Sequence, residues 1–357
     1  MILDNITGLR LINQQISGSK YKSVKQLVSA MGAMQAQDYN AVKWAVGVRL
    51  PDSTEKNIES AFNKGDIIRT HLLRPTWHFV SAEDIYWMLE LTAPRILPSL
   101  KTRHKNLELT TAIFNICFTV IEKALTGGKH LTREEITSEL AKVKISTKGI
   151  HTAHILMQAE LECLICSGSI NNKNHTYSLL EERVPQKIKL TKDESLAKLA
   201  LKYFTSRGPA TVQDFSWWSG MSLTESKHAL ELNKLNLVSE KSKTFNYWFS
   251  ETPQVSPKKD SVYLLPAYDE FLISYRDRSS SIPQGIKRKI ISNNGIFWPV
   301  VVLNGQVCGV WKRATHKNKL CVQVNLFQPH SDKIKKLIEL QSAKFSRFLN
   351  KQIEVMF

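Results

Sequence analysis

DESLAKLALKYFTSRG at 193–208, TVQDFSWWSG at 211–220, SLTESKHALELNKL at 222–235 and LVSEKSKTFNYWFS at 237–250 follow one another with only short gaps. Helix, short helix, turn at Gly220, longer helix and basic hairpin come in the order that a helix-turn-helix with a β-wing requires. Working outward, the same outline recurs twice upstream. Between residues 8 and 65, GLRLINQQI, SVKQLVSAMGAMQAQ, AVKWAVGVRL and TEKNIESAFNKG read as helices in quick succession. Leu27, Met31 and Met34 fall at helical spacing, Ser23 can cap the second helix, and Gly65 follows the fourth. DIIRTHLLRPTWHFV, 66–80, then turns β-branched and aromatic around Pro75, the pattern of a short hairpin. Next come SAEDIYWMLELTAPRI with an S-x-x-D capping signal, TTAIFNICFTVIEKAL and LTREEITSELAKV as helices. GIHTAHILMQAELECLICSGSI reads as one long apolar helix, and NHTYSLLEERV supplies a strand pair.

Past the linker ETPQVSPKKD the character becomes β. VYLLPAYDEFLISYRDR, GIFWPVVVLNGQVCGVWKR and KLCVQVNLF are strand-like, with Asn304-Gly305 as a hairpin turn. DKIKKLIELQSAKFSRFLN is an amphipathic basic helix and IEVMF a closing strand. The fold class read from the chain is therefore α+β and mainly helical, with tandem winged-helix units followed by a small β-barrel-like C-terminal domain. The expected boundaries are a first unit at 1–80, a second at 81–190, a third at 191–252, and a basic β-rich domain with a closing helix at 258–357.

Charge is the unusual feature of the composition. The 357 residues carry 49 Lys+Arg against 32 Asp+Glu, a net +17, which favours polyanionic partners over acidic substrates or neutral surfaces. The excess is uneven, because residues 258–357 hold 17 Lys+Arg and 7 Asp+Glu. A solvated basic face is the plainer explanation, and a phosphate-contacting surface the functional one. Cys117, Cys163, Cys166, Cys308 and Cys321 form an odd set in mostly apolar contexts, the pattern of reduced core thiols. Cys163 and Cys166 make a C-x-x-C, but no second pair stands at ligand spacing, so neither metal nor other cofactor is expected. MILDNITGLRL lacks the form of a signal peptide, and no run approaches the length of a membrane span, so no membrane partner is expected.

MGAMQAQDYNAVKWAVGVRL at 31–50, IIRTHLLRPTWHFV at 67–80, LLPAYDEFLISYRDR at 264–278 and VVLNGQVCGVWKR at 301–313 together resemble the winged-helix DNA-binding proteins of the AlkZ/YcaQ-like DNA glycosylase family, over nearly the whole chain. The resemblance implies tandem winged helices and a β-domain clamped around duplex DNA with alkylated bases, excising N7-alkylated purines or unhooking interstrand crosslinks. It implies a cytoplasmic, nucleoid-associated chain, and three tandem units suffice for a monomer to embrace a duplex. The family motif is Gln, an apolar residue, then Gln or Asp; Gln35, Ala36 and Gln37 match the Gln-terminated form. The family more often has Gly where this chain has Pro75.

Hydrolysis of an N-glycosidic bond passes through an oxocarbenium-like sugar, so the site must place water at C1′ and stabilise positive charge. A neutral amide orients water by its carbonyl but holds a proton poorly. A Gln-x-Gln site therefore suffices for a leaving group that is already cationic, such as an N7-alkylguanine. On a helix Gln35 and Gln37 would lie about 200° apart, so they share a face only if the helix ends there. Both could instead be capping residues, and Asp38 could activate water or simply cap the next helix. On the hairpin, Arg69 and Arg74 can neutralise phosphates, and His71 and His78 can contact phosphate or a flipped nucleotide or serve as structural histidines. Arg276 and Arg278, in Tyr275-Arg276-Asp277-Arg278, suit an ion-pair staple or a DNA backbone clamp. Lys312 and Arg313, like Lys287, Arg288 and Lys289, suit nonspecific phosphate contact. Trp217 and Trp218 read as packing residues. No lysine stands beside the motif as a Schiff-base nucleophile, Lys43 being too far along, so lyase chemistry is not expected. The alternative is a non-enzymatic winged-helix DNA-binding or transcriptional regulator using the same helices to read grooves.

Overall fold

The computed structural model describes residues 5–146, 149–242, 245–250, 260–317 and 319–357. The chain divides into two compact units, one made of residues 1–59 with 196–357 and the other of residues 60–195. Of the linker ETPQVSPKKD, 251–260, only Asp260 lies among the described residues.

The first unit opens with α1 (Ile6–Asn13), capped by Asn5, and α2 (Val24–Met31), whose cap Ser23 accepts the Gln26 N–H at 3.2 Å. The helix expected to run through Gln37 stops at Met31, because Gly32 takes φ +71, a conformation that a Cβ disfavours. The chain continues extended as β1 (Ala33–Gln35) and restarts as α3 (Tyr39–Arg49) and α4 (Glu55–Lys64), with Gly65 at φ +83 beyond it.

In the second unit β2 (Ile67–Leu72) and β3 (Thr76–Ser81) pair antiparallel from Ile67↔Ser81 to Leu72↔Thr76. Pro75 lies in the turn, where its missing N–H costs no ladder bond. α5 (Ile85–Asn106) runs on through Pro94 and Pro98, beyond its expected end. Then follow α6 (Thr111–Leu125), β4 (Leu131–Thr132), α7 (Arg133–Lys142), α8 (His151–Leu161), β5 (Ile165–Ser167), β6 (Thr176–Leu179) and the single turn α9 (Leu180–Arg183). The run expected as one long helix breaks after Leu161. Cys163 takes φ +60, and Ile165–Ser167 pairs with Tyr177–Leu179 in a sheet of order β4-β6-β5. Phe114, Cys117, Ile121, Ile136, Leu140 and Ile155 fill the core beneath it.

The chain re-enters the first unit along α10 (Lys192–Arg207), followed by α11 (Val212–Ser219), α12 (Leu223–Leu232) and the hairpin β7 (Val238–Lys241) and β8 (Asn246–Phe249). These elements match the sequence reading in kind and order. Capping boxes at Thr211/Asp214 and Ser222/Glu225 start the two short helices, and Gly220 in the left-handed region ends the first.

The C-terminal segment contains β9 (Val262–Leu265), the turns α13 (Glu270–Ile273) and α14 (Lys287–Ile290), β10 (Val300–Leu303), β11 (Gln306–His316), β12 (Lys319–Leu326), α15 (Asp332–Leu349) and β13 (Glu354–Met356). Asn304 and Gly305, φ 51 and 82, make the expected β10–β11 turn. The expected barrel-like domain is instead an open five-stranded sheet of order β13-β12-β11-β10-β9. Its edge strands have three and four residues, too short to close a barrel on each other. β13 joins β12 in parallel, which requires the crossover that α15 provides. α15 packs Phe345 and Phe348 against Trp44 of α3, with ring centroids 4.8 and 5.1 Å away. The segment DEFLI, expected as strand, is helical because the Asp269 carboxylate accepts the Phe271 N–H at 2.8 Å and starts α13.

Candidate active site

Gln35 ends β1, and Ala36 to Asp38 are non-helical. The helical separation of about 200° therefore does not apply to Gln35 and Gln37, because neither lies on a helix. Gln35 is half-buried, Ala36 buried and Gln37 exposed. Asp38 serves as the cap of α3, its carboxylate accepting the N–H groups of Asn40 at 2.9 Å and Ala41 at 3.0 Å.

The main chain leading to Gln37 is held from below by side chains of the same unit. Lys202 on α10 donates to the Ser29 carbonyl at 2.6 Å. One turn or so later on the same helix, Arg207 donates to the carbonyls of Met31 at 2.6 Å and Ala33 at 2.7 Å. The Gln35 N–H donates to Glu270 Oε1 at 2.7 Å. Glu270 Oε2 in turn accepts from Arg207 at 2.8 Å, from the Ser274 hydroxyl at 2.5 Å and from Trp218 Nε1 at 3.1 Å. Arg207 and Glu270 are 0% and 1% exposed. Burial alone raises the Glu270 pKa, but the Arg207 charge and the bonds from Ser274, Arg207 and Gln35 outweigh it and hold the carboxyl at about 2.

A second buried pair extends this network. Arg49 grips both oxygens of Asp269 at 2.8 Å and also donates to the Gln14 side-chain carbonyl at 2.8 Å. The Gln14 amide donates to Tyr275 Oη at 3.0 Å, and Tyr275 donates to the Arg207 carbonyl at 2.8 Å. Polar groups this deep call for partners, and apart from Arg49 Nε these groups partner one another across α1, α3, α10 and α13. None of Gln14, Arg49, Arg207, Asp269 and Glu270 was singled out from sequence. The available signal was Asp269-Glu270 inside the apolar run LLPAYDEFLI, since two acids there need buried cations.

The other site candidates fall in both units. In the first, Arg276 is exposed, its N–H donating to Asp214 Oδ1 at 2.8 Å. It borders a cavity of about 460 Å³ together with Arg10, Thr211, Gln213, Asp214 and Tyr247. Arg278 turns back on its own loop, donating to the Leu272 carbonyl at 2.7 Å, with its guanidinium 5.4 Å from the Trp217 ring. Trp218 is core, as expected, while its neighbour Trp217 is 43% exposed. Lys312 and Arg313 are exposed on adjacent, opposite-facing positions of β11, and Lys287, Arg288 and Lys289 are exposed on α14.

In the second unit the hairpin side chains turn inward. Arg69 is buried with its guanidinium 3.8 Å from the Trp77 ring centroid. His71 Nδ1 is bonded to the carboxylate of buried Glu160, which also accepts from Trp77 Nε1 at 3.4 Å. His78 is 1% exposed and meets the Thr76 carbonyl at 2.9 Å through Nδ1, while Arg74 is half-buried in the turn. Burial pushes the Cys163 thiol up to about 11 and the Cys166 thiol to about 12, so both are protonated and poorly nucleophilic near neutrality. Among the described residues no helix is long and apolar enough to cross a membrane.

Comparison with known proteins agrees with this layout. No curated protein matches the chain. Among solved structures, the Streptomyces sahachiroi DNA glycosylase AlkZ superposes with a TM-score of 0.82 over 99% of each chain at 17% sequence identity, a likeness of fold. The family model of AlkZ-like DNA glycosylases matches residues 28–348, a span that contains Gln35, Gln37, Arg207 and Glu270. The chain thus belongs to the AlkZ-like DNA glycosylases, base-excising hydrolases of DNA repair.

Proposed function

We propose that this glycosylase excises N7-alkylated purines from duplex DNA, with Gln37 orienting the attacking water and Gln35 supporting it. The observation that carries the reading is the absence of an uncommitted carboxylate at the motif among the described residues. Asp38 caps α3, and Glu270 is buried against Arg207 and the Gln35 N–H. A site built from neutral amides cannot force out a poor leaving group, but an N7-alkylpurine already carries positive charge. The C1′–N9 bond breaks with its electron pair going to the base, which departs neutral. Water adds to C1′, and its proton passes to solvent, leaving an abasic site. The amide carbonyl needs only to align the water and face the developing oxocarbenium. An interstrand crosslink between two N7 positions presents the same cationic purine, so the same step would unhook it.

For DNA contact we take 192–249 as a helix-turn-helix with a wing, supported by the order of α10, α11, α12 and the β7–β8 hairpin. The exposed cations Arg276, Lys312 and Arg313 suit phosphates directly. Arg74 suits the hairpin tip, whereas Arg69, His71, His78 and Arg278 act by fixing the shape of the segments that carry such contacts. The deciding experiment is release of N7-methylguanine from duplex DNA by the wild type and by Gln37→Ala at matched DNA occupancy. Loss of release with binding retained is the expected result. Release unchanged in Gln37→Ala would remove Gln37 from the reaction, and binding without release by either protein would overturn the substrate assignment.

A further inference from the structure

We propose that Arg207 and Glu270 are positioning residues for base excision: their buried pair sets the main chain of residues 31–35 and thereby aims the amides of Gln35 and Gln37. This inference rests on the Gln-x-Gln reading above. Its basis is the spacing of the contacts. Ser29, Met31, Ala33 and Gln35 are alternate residues, and each has one main-chain group taken by a side chain from α10 or α13. Only one of these four groups is an N–H, and it is the one on Gln35 itself, bound to the carboxylate of Glu270. The two ends of the clamp are locked to each other by Arg207–Glu270 at 2.8 Å.

The arrangement exceeds what folding of this segment needs. β1 has three residues and follows a glycine at positive φ, so local structure leaves its direction weakly specified. A neutral acceptor could satisfy one N–H. A fully buried ionic pair is an expensive way to do so unless geometry matters, because a buried pair can often be replaced by apolar residues without loss of stability. Misplacement by about 1 Å is enough to cost on the order of a hundredfold in rate. The pair touches no substrate in this assignment; it acts through the main chain of Gln35.

The test compares Glu270→Gln, the double variant Arg207→Met with Glu270→Leu, and Gln37→Ala. Single-turnover release of N7-methylguanine, the Kd for the same duplex, and the thermal midpoint are measured for each. Glu270→Gln retains an oxygen for the Gln35 N–H, and a roughly tenfold slower step is expected. The double variant leaves no buried charge unpaired but strands the Gln35 and Trp218 N–H groups, so its midpoint should fall; assayed well below that midpoint, it should stay folded yet release base about a hundredfold more slowly. Kd should change by less than about twofold in both, since no DNA contact is altered. A double variant that folds and releases base at the wild-type rate, while Gln37→Ala is inactive, overturns the positioning role and leaves the Gln-x-Gln reading standing. Wild-type activity in Gln37→Ala overturns both. A loss of affinity as large as the loss of rate in the folded double variant shows a purely structural pair and overturns the proposal as well.

Discussion

Replacing Glu270 by Gln tests the electrostatics of the interior directly. The wild-type carboxyl titrates at about 2, against an ordinary value of 4.5. That difference corresponds to about 3 kcal/mol favouring the ionised group in the folded chain. The figure agrees with the roughly 3–5 kcal/mol expected when one partner of a buried ion pair is removed and the other left uncompensated. Glutamine keeps one oxygen, for either the Gln35 N–H or the donors Trp218 and Arg207 on the other side, so a loss inside that range is expected. The sign of the pH dependence follows from a folded pKa below the unfolded one. The stabilisation is fully present above the unfolded value and is lost as pH falls through the folded value. The gap in unfolding free energy between wild type and Glu270→Gln should therefore be near 3 kcal/mol at about pH 7 and shrink to about half of that at about pH 3. Urea unfolding followed by tryptophan fluorescence measures it, and Trp218, bonded to Glu270 at 3.1 Å, lies at the perturbed centre. A gap below about 1 kcal/mol, or one that stays constant between those pH values, would refute the buried ionised pair.

Two further outcomes follow from the same geometry. Asp38→Ala should lower stability by about 1 kcal/mol through loss of the α3 cap while leaving the single-turnover rate of base release nearly unchanged; a rate loss comparable to Gln37→Ala would make Asp38 a participant in catalysis. Lys312 and Arg313 face opposite sides of β11, so one of Lys312→Ala and Arg313→Ala, and not both, should weaken duplex binding without regard to sequence and reduce the steepness of its salt dependence by about one unit of log–log slope. An unaltered slope in both titrations removes β11 from the DNA surface.

Local patterning made the helices of 192–249 legible. Thr211 and Ser222 stand three residues before Asp214 and Glu225, and Gly220 ends the intervening helix, all signals that act within one turn. The Asn304-Gly305 turn was legible for the same reason. Misreadings arose where apolar runs had no local arbiter. ECLICSG continues α8 in hydrophobicity, but its partner strand Thr176–Leu179 lies beyond the next turn and converts it to β5. The sheet at 262–356 was expected to close, yet closure depends on edge lengths and on the parallel docking of β13, neither of which is encoded in strand propensity.

The sequence by itself determined the mostly helical α+β class, the hairpin turns, the basic character and the Gln35-Ala36-Gln37 motif, because each is written in neighbouring residues or in total charge. Only tertiary structure decided how that motif is carried. Gly32 releases it from α2, and Arg207, 172 positions beyond Gln35, and Glu270, 235 beyond it, fix its main chain. Those distances in sequence are the physical reason. Burial of a charge, and therefore its need for a partner, is a property of the folded interior, and no window of neighbouring residues specifies which distant cation and carboxylate will meet there.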